Sequence, residues 1–136
     1  MIYEAKTLGA SAVLLICSIL SKGQIEEYLG ICDELGLSAI VETHDEKEVE
    51  TAVSANARII GVNNRNLKDF TVDSDNSKRL RELIPSDRIF VSESGLKTPE
   101  DVANIRRAGA DAVLIGETVM RAADKAEALK NLRSAL

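Results

Sequence analysis

The 136 residues suit one domain of ordinary size, and we expect a single domain over residues 1–136. With 45% hydrophobic but only 3% aromatic residues, the composition predicts an aliphatic core of the kind found in parallel sheets covered by helices. The formal net charge of −5, without a basic block, argues against nucleic acid as a partner, and no apolar run is long enough to span a membrane. Cys17 and Cys32 lack metal-site or CxxC spacing, which predicts free, buried thiols in a reducing cytoplasm.

The chain alternates apolar strands with amphipathic helices along its length. Apolar runs predict five strands, at residues 12–16, 39–41, 58–62, 89–91 and 112–115. Helical spacing predicts helices between most of them, a short one at residues 2–8, and a last one from about 123 to the end. The segment 66–74 is predicted to be a loop, followed by a helix from about 76 to 83. Strands that recur at intervals of roughly 25 residues, with helices between them, imply parallel neighbours and right-handed crossovers.

Capping residues mark the helix starts. Ser21 is predicted to cap the helix after the first strand, and Thr98, followed by Pro99, the helix before the last strand. Asp45 is predicted to cap a short helix, and Glu48, three residues further on, completes a capping-box pattern.

Five strands fit two architectures. An open doubly wound sheet of the flavodoxin-like type is complete with five strands at this length. A (β/α)₈ barrel needs eight strands and usually about 250 residues, so this chain would supply only part of one. The strand pattern alone favours the flavodoxin-like sheet, whereas the chemistry at the strand ends favours the barrel.

Polar residues stand where the predicted strands end. Because the carboxyl ends of parallel strands lie at one edge of a sheet, these residues are expected to converge. They offer three carboxylates, an amide, a guanidinium, a hydroxyl and a glycine turn, which together suit an anionic substrate. The residues are Glu42, Asn63, Arg65, Glu93, Ser94, Gly116 and Glu117.

Two glycine turns follow the last two strands, within residues 89–120. Gly95 and Gly116 allow the backbone to approach an oxyanion closely, and the N–H groups after them are expected to point outward. On the last two strands of a (β/α)₈ barrel, such turns usually bind phosphate.

Each candidate also has a purely structural interpretation. Glu42 is then a solvated acid at a strand end, Arg65 a surface ion-pair partner, and Asn63 a turn residue. Ser94 is then a helix cap, and the glycines serve only the turns. His44 is interpreted as a loop histidine, and one histidine with scattered carboxylates forms no metal-ligand cluster.

Four motifs, in matching order and spacing, resemble the second half of indole-3-glycerol phosphate synthase, an enzyme of tryptophan biosynthesis. They are I-V-E-T-H at 40–44, I-I-G-V-N-N-R-N-L at 59–67, V-S-E-S-G-L at 91–96 and A-V-L-I-G-E-T-V-M-R at 112–121. The resemblance covers the whole chain and implies a partial (β/α)₈ barrel, consisting of its fourth to eighth strands. It also implies the ring closure, decarboxylation and dehydration of 1-(2-carboxyphenylamino)-1-deoxyribulose 5-phosphate to indole-3-glycerol phosphate, without a cofactor or metal.

The resemblance also implies roles for individual residues. Glu42 falls on the general base that assists dehydration. Asn63 and Arg65 fall on positions near the anthranilate carboxylate and the ribulosyl chain of the substrate. Glu93 and Ser94 fall on an active-site pair at the end of the seventh barrel strand.

The resemblance assigns phosphate to the backbone at Gly95, Gly116 and Glu117. Only the N–H of Glu117 can serve phosphate, because its carboxylate would repel the anion, and Arg65 is expected to offset that charge.

The resemblance matches the five strands of this chain to the fourth to eighth strands of the family's barrel, so the first three strands have no counterpart here. With them go a glutamate and a lysine on the first strand and the lysine general acid on the third. Losing that acid costs at least ~10²-fold in rate, so we expect this chain alone to be weak or inactive. The two open sheet edges are expected to be covered by self-association or by the missing N-terminal part.

Two other functions remain open. One is a non-catalytic, flavodoxin-like domain that binds a phosphorylated ligand. The other is a related phosphate-binding barrel such as phosphoribosylanthranilate isomerase, which uses a cysteine and an aspartate at strand ends. Cys17 and Asp111 are not placed for those roles.

Overall fold

A computed structural model describes residues 1–66, 69–73 and 75–134. Five parallel strands form one sheet, and each strand pairs with its neighbours in chain order. The strands are β1 (Ala12–Ile16), β2 (Ser38–Thr43), β3 (Ile59–Asn63), β4 (Ile89–Glu93) and β5 (Ala112–Leu114). The five predicted strands are therefore confirmed, with ends that differ by no more than two residues from the predicted ones.

Helices connect the strands. They are α1 (Ile2–Thr7), α2 (Lys22–Glu34), α3 (Glu46–Ser54), α4 (Asn76–Arg81), α5 (Pro99–Arg107), α6 (Glu117–Arg121) and α7 (Lys125–Arg133), with a 3₁₀ turn at Cys17–Ile19. The sequence analysis did not predict α6 or the 3₁₀ turn, and α7 begins two residues later than expected. Residues 135 and 136 of the predicted last helix, and 67, 68 and 74 of the predicted loop, lie outside the described residues.

The order of the strands decides between the two expected architectures. A flavodoxin-like sheet has the strand order 2-1-3-4-5, because the chain reverses direction across the sheet after its first units. Here the order is β1-β2-β3-β4-β5, so the flavodoxin-like expectation is wrong. A sheet that adds each parallel strand beside the previous one is the arrangement of successive strands in a (β/α)₈ barrel.

The helix caps are largely as the sequence predicts. The hydroxyl of Ser21 and that of Thr98 each accept a backbone N–H three residues on, and both helices have a complete capping box. Asp45 caps α3 by accepting the N–H of Glu48, but the carboxylate of Glu48 does not return to Asp45. It binds His44 instead.

The core lies between the sheet and its helices. Val41, Ile60, Val62 and Phe90 are fully buried on three neighbouring strands, and the aliphatic side chains of the helices pack on them. Both cysteines are buried and unpaired, as expected. Burial raises the pKa of the Cys17 thiol to about 12, with smaller contributions from nearby carboxylates, so this thiol is unreactive at neutral pH.

Within the described residues, no helix is long and apolar enough to cross a membrane. The same part of the chain contains no group of three or more histidine, cysteine or acidic side chains that suits a metal ion.

A buried polar network fixes the ends of β3 and β4. The Asn64 amide nitrogen donates to Ser92 Oγ at 3.3 Å and to the Ser94 carbonyl at 3.0 Å, and its oxygen accepts the Ser77 N–H at 3.0 Å. Because Asn64 is only 3% exposed, these bonds replace contacts with water. Asn64 therefore joins β3, β4 and α4, and this network lies directly beside the strand ends where the polar candidates stand.

Candidate functional site

Three of the predicted polar residues meet at the carboxyl edge of the sheet. Glu42 lies on β2, Asn63 on β3 and Glu93 on β4, and Asn63 is in register with Glu93. Their exposed fractions are 4%, 8% and 2%, respectively. The interpretation of Glu42 as a solvated acid is therefore wrong, because this side chain is buried at the end of β2.

Gly61 makes room for the Glu93 carboxyl. It lies in β3 directly opposite Glu42. A Cβ atom at this position would stand 2.0 Å from Glu93 Oε1 and 3.1 Å from Ile40 Cγ2. The side chain of Glu93 therefore crosses over the glycine toward Glu42, which no larger residue at position 61 would allow without displacing it.

The charge of Glu42 disfavours ionisation of Glu93. Burial of the Glu93 carboxyl, followed by the charge of Glu42 and a hydrogen bond with it, raises the pKa of Glu93 to about 8. At neutral pH Glu93 therefore keeps its proton and is a carboxylic acid. Such a pair can take up a proton at one oxygen while a proton is available at another.

Asn63 and Arg65 shape the next part of the edge. Asn63 Oδ1 accepts the Arg65 N–H at 2.9 Å, which fixes the turn after β3. The Arg65 guanidinium reaches Glu117 Oε2 at 2.5 Å, and Arg121 Nε donates to the other oxygen of Glu117 at 2.9 Å. These two hydrogen bonds lower the pKa of Glu117. The Arg65–Glu117 contact is the charge compensation expected from the sequence.

The two glycine turns lie together, and the first is tightly built. Ser94 and Gly95 both have left-handed backbones, with φ values of 65° and 79°. The Ser94 N–H donates to the Leu114 carbonyl at 3.3 Å, so the end of β4 is tied to β5. Ser94 is not a helix cap, since Thr98 caps α5. Gly95 is held against Val72, whose Cγ1 would lie 2.6 Å from an added Cβ.

Two cavities open at this edge, and Arg65 borders both. The smaller, of about 570 Å³, is lined by residues that include His44, Glu48, Asn63, Asn64 and Arg65. The larger, of about 970 Å³, is lined by residues that include Arg65, Ser94, Gly95, Lys97, Gly116 and Glu117. Glu42 and Glu93 line neither cavity. The structure thus gathers the turn residues around one cavity and Asn63 and Arg65 around another, with the carboxyl pair buried beside them.

Sequence reasoning missed two residues of this site. Gly61 had a signal, because a glycine inside an otherwise apolar strand marks a close approach. His44 also had one, since it stands two residues after Glu42 and an extended chain places such residues on the same side. His44 Nε2 indeed lies 3.4 Å from Glu42 Oε1.

The raised pKa of Glu93 predicts a specific pH dependence of stability. The unfolded chain releases this proton near the ordinary value of 4.5, whereas the folded chain holds it up to about 8. The folded state is therefore penalised progressively as pH rises through this window. We expect Glu93→Gln, which mimics the protonated acid, to gain on the order of 1–4 kcal/mol over the wild type between pH 5 and pH 8.

Urea unfolding at both pH values measures this difference. The matched control is Glu34→Gln, an exposed residue of α2, which should leave the difference between the two pH values unchanged. Parallel pH dependences for Glu93→Gln and the wild type would contradict the raised pKa.

Gly61→Ala should separate the two carboxyls. Its methyl group would stand 2.0 Å from Glu93 Oε1, so the Glu93 carboxyl must move away from Glu42. We expect a loss of roughly 1–3 kcal/mol of stability, as for overpacking in a core. We also expect a weaker dependence on pH between 5 and 8, because Glu93 then lies farther from the charge of Glu42.

The control for this substitution is Gly30→Ala in α2, where an added Cβ meets no atom within 4 Å. Urea unfolding should show no loss for Gly30→Ala, because alanine favours a helix by up to about 1 kcal/mol over glycine. Retention of wild-type stability and pH dependence by Gly61→Ala would show that the close packing of Glu93 is not required.

Known proteins match this chain in sequence and in fold. The sequence model of the indole-3-glycerol phosphate synthase family matches residues 1–132. The indole-3-glycerol phosphate synthase of Leuconostoc mesenteroides is 59% identical over 133 residues, which cover 98% of this chain and 51% of that protein. The indole-3-glycerol phosphate synthase of Ruminiclostridium cellulolyticum is 58% identical over 132 residues, which cover 97% of this chain and 51% of that protein.

Among solved structures, 3-hexulose-6-phosphate synthase from Salmonella typhimurium matches with a TM-score of 0.81 at 19% identity, over 98% of this chain and 66% of that chain. A match at this identity shows the fold alone, which is that of (β/α)₈-barrel enzymes. The chain spans about half the length of the curated relatives it matches. Because the family match extends over residues 1–132, this chain belongs to the indole-3-glycerol phosphate synthase family.

Proposed function

We propose that this chain supplies the base-bearing and phosphate-binding side of an indole-3-glycerol phosphate synthase, a carboxy-lyase of tryptophan biosynthesis. The reaction closes the ring of 1-(2-carboxyphenylamino)-1-deoxyribulose 5-phosphate and releases CO₂ and water, giving indole-3-glycerol phosphate. The observation that carries the proposal is the buried pair of Glu42 and Glu93 at the carboxyl edge of the sheet, in a chain of this family.

The carboxyl pair suits the dehydration step. Removing water from the ring-closed intermediate requires a base for a ring proton and an acid for the departing hydroxyl. In this proposal Glu42 accepts the proton, and protonated Glu93 keeps a hydrogen-bond donor beside it. The raised pKa of Glu93 supports this division, because it keeps one of the two groups protonated at neutral pH.

The remaining candidate residues have binding roles in this proposal. Asn63 and Arg65 bind the anthranilate carboxylate and the ribulosyl chain, and Ser94 contacts the substrate from the end of β4. The position of Arg65 at the border of both cavities supports such a role, because it can reach groups in either. Arg65 must then exchange part of its contact with Glu117 for a contact with the substrate.

The larger cavity is the proposed site of the phosphate group. Gly95, Gly116 and Glu117 contribute their backbone to its wall, and Lys97 and Arg121 add positive charge. The Glu117 carboxylate is neutralised by Arg65 and Arg121, which removes the repulsion that it would otherwise exert on phosphate. The backbone N–H of Glu117 lies in the first turn of α6, where helical N–H groups lack partners within the helix.

In this proposal the general acid for ring closure is the lysine that the resemblance places on a barrel strand outside these five. Among the described residues no lysine lines the smaller cavity, and Lys97 lines only the larger one. We therefore propose that the described residues act in dehydration and substrate binding and that they turn over substrate slowly without further barrel units. The two buried, unpaired thiols support a reducing, cytoplasmic setting for this activity.

A chimera provides the test. In the Leuconostoc mesenteroides relative, the matching 133 residues are replaced by this chain, and formation of indole-3-glycerol phosphate is followed by its fluorescence. We expect the chimera to turn over substrate and Glu42→Gln to lower kcat by at least ~10²-fold, because the base is lost. This chain alone should be slower than the chimera by a similar factor.

Glu34→Gln is the control in the same chimera, since this exposed residue lies away from the strand ends. A chimera that is folded by circular dichroism but forms no product would contradict the proposed function. So would ordinary turnover by Glu42→Gln.

We also propose that the sheet edges of this chain are covered by a second copy. β1 and β5 are the outer strands of the sheet, and Leu14 and Leu114 on them are 43% and 47% exposed. Exposed apolar edges with free backbone groups favour pairing with another chain.

Light scattering tests this association. We expect a mass above the 14.7 kDa of one chain at tens of micromolar protein, because unpaired edge strands pair with another chain. Leu14→Lys combined with Leu114→Lys should restore the mass of one chain, because a charge on an edge strand opposes pairing. Ile19→Lys, which is exposed in the 3₁₀ turn outside the sheet, is the control. A monomer at all concentrations would refute the association.

A further inference from the structure

His44 lies between two carboxylates. Its Nδ1 is 3.2 Å from Glu48 Oε2, and its Nε2 is 3.4 Å from Glu42 Oε1. The imidazole is mostly buried, with 17% of the side chain exposed. An imidazole with a carboxylate at each ring nitrogen connects the two acids directly.

Glu48 anchors this histidine. The sequence predicts that Glu48 completes a capping box with Asp45, yet its carboxylate accepts the backbone N–H of His44 at 2.8 Å and contacts its ring as well. The His44 carbonyl accepts a further bond from Asn76 Nδ2 at 3.1 Å. Backbone and ring are thus held by two other elements, α3 and α4, so the orientation of the imidazole is fixed.

The other ring nitrogen, Nε2, makes no hydrogen bond within the described residues. Three of the buried polar atoms that make no hydrogen bond in the described part of the chain lie here, namely Glu42 Oε1, His44 Nε2 and Glu93 Oε1. His44 Nε2 and Glu42 Oε1 are within ion-pair distance but not in hydrogen-bond geometry. A buried polar atom without a hydrogen bond destabilises the folded protein. Such atoms are typical of sites whose groups bind a ligand or take part in catalysis.

We propose that His44 is a positioning residue for Glu42. Anchored by Glu48, its Nε2 faces Glu42 Oε1 and stabilises this carboxylate in its ionised form, while the other oxygen faces Glu93. The imidazole thereby decides which of the two carboxyls carries the proton. The effect of this positioning role on catalysis rests on the proposed function, in which ionised Glu42 is the base.

The charges around His44 are mainly negative. Cys17, in the 3₁₀ turn, donates its Sγ–H to the carbonyl of Glu48, the residue that anchors His44, at 3.7 Å. The charges of Glu48, Asp45 and Glu42, after burial, contribute to the raised pKa of the Cys17 thiol, which supports their close grouping. From α4, Arg79 bonds Asn76 and pairs with Glu46 rather than with this group. The carboxylates of Glu42 and Glu48 are therefore the charged groups in contact with the imidazole.

The single histidine of the sequence permits a direct test on the full chain. A sample labelled with ¹⁵N only in histidine gives one Nδ1 and one Nε2 signal. We expect Glu48→Gln to shift mainly the Nδ1 signal and Glu42→Gln mainly the Nε2 signal. Glu34→Gln, the control, should shift neither. An Nε2 signal that is unchanged in Glu42→Gln would overturn the proposal, whether or not the chain has any activity.

Kinetics in the chimera test the consequence. Glutamine can place an amide N–H near the position of His44 Nε2, so His44→Gln should retain kcat within about threefold. His44→Leu should lower kcat roughly 10- to 100-fold, the size of one lost charge-assisted hydrogen bond, with KM little changed. Equal kcat for His44→Leu and the wild type would overturn the positioning role. A folded chimera without any activity would instead count against the proposed function and leave the ¹⁵N result to decide on His44.

Discussion

Two carboxyl groups buried side by side impose the main constraint on this structure. Glu42 and Glu93 face each other at the carboxyl edge of the sheet, and only one of them can be ionised without a large electrostatic cost. The fold satisfies this constraint in three ways. Glu93 keeps its proton at neutral pH, and Gly61 leaves space for its side chain. The imidazole of His44 lies beside Glu42. A site that stores one proton in this way costs stability at neutral pH, which is common for catalytic groups.

Arg65 joins this region to the glycine turns. It follows the end of β3, borders both cavities, and forms an ion pair with Glu117 at the start of α6. A guanidinium has several donors in a fixed plane, so it can hold one carboxylate while it binds a second anion. The Glu117 carboxylate is thus a partner of two cations beside the larger cavity, Arg65 and Arg121.

The sequence predicted the positions of the strands and helices better than the order of the strands in the sheet. Apolar runs and capping residues such as Ser21 and Thr98 located the strands and most helices, because these signals are local. The same signals favoured the wrong sheet order, since five βα units carry no local mark of which strands become neighbours. The motifs at the strand ends corrected this choice. The functions of Gly61 and His44 depend on side chains from other strands, and the burial of Glu42 depends on packing that no residue pattern specifies.

The sequential order of the sheet also bears on how the chain acquires its structure. Each strand pairs with the strand one unit before it, so paired residues are close in sequence, for example 19 positions apart for Ile40 with Ile59 and 30 for Ile59 with Ile89. Closing loops of this length costs less entropy than closing the longer loops of a sheet that pairs strands distant in sequence. Each βα unit can therefore dock on the previous one as it leaves the ribosome, without waiting for a distant partner. Asn63 and Glu93 then come together only when β4 joins β3, so the carboxyl edge of the sheet is assembled one strand at a time in the order of synthesis.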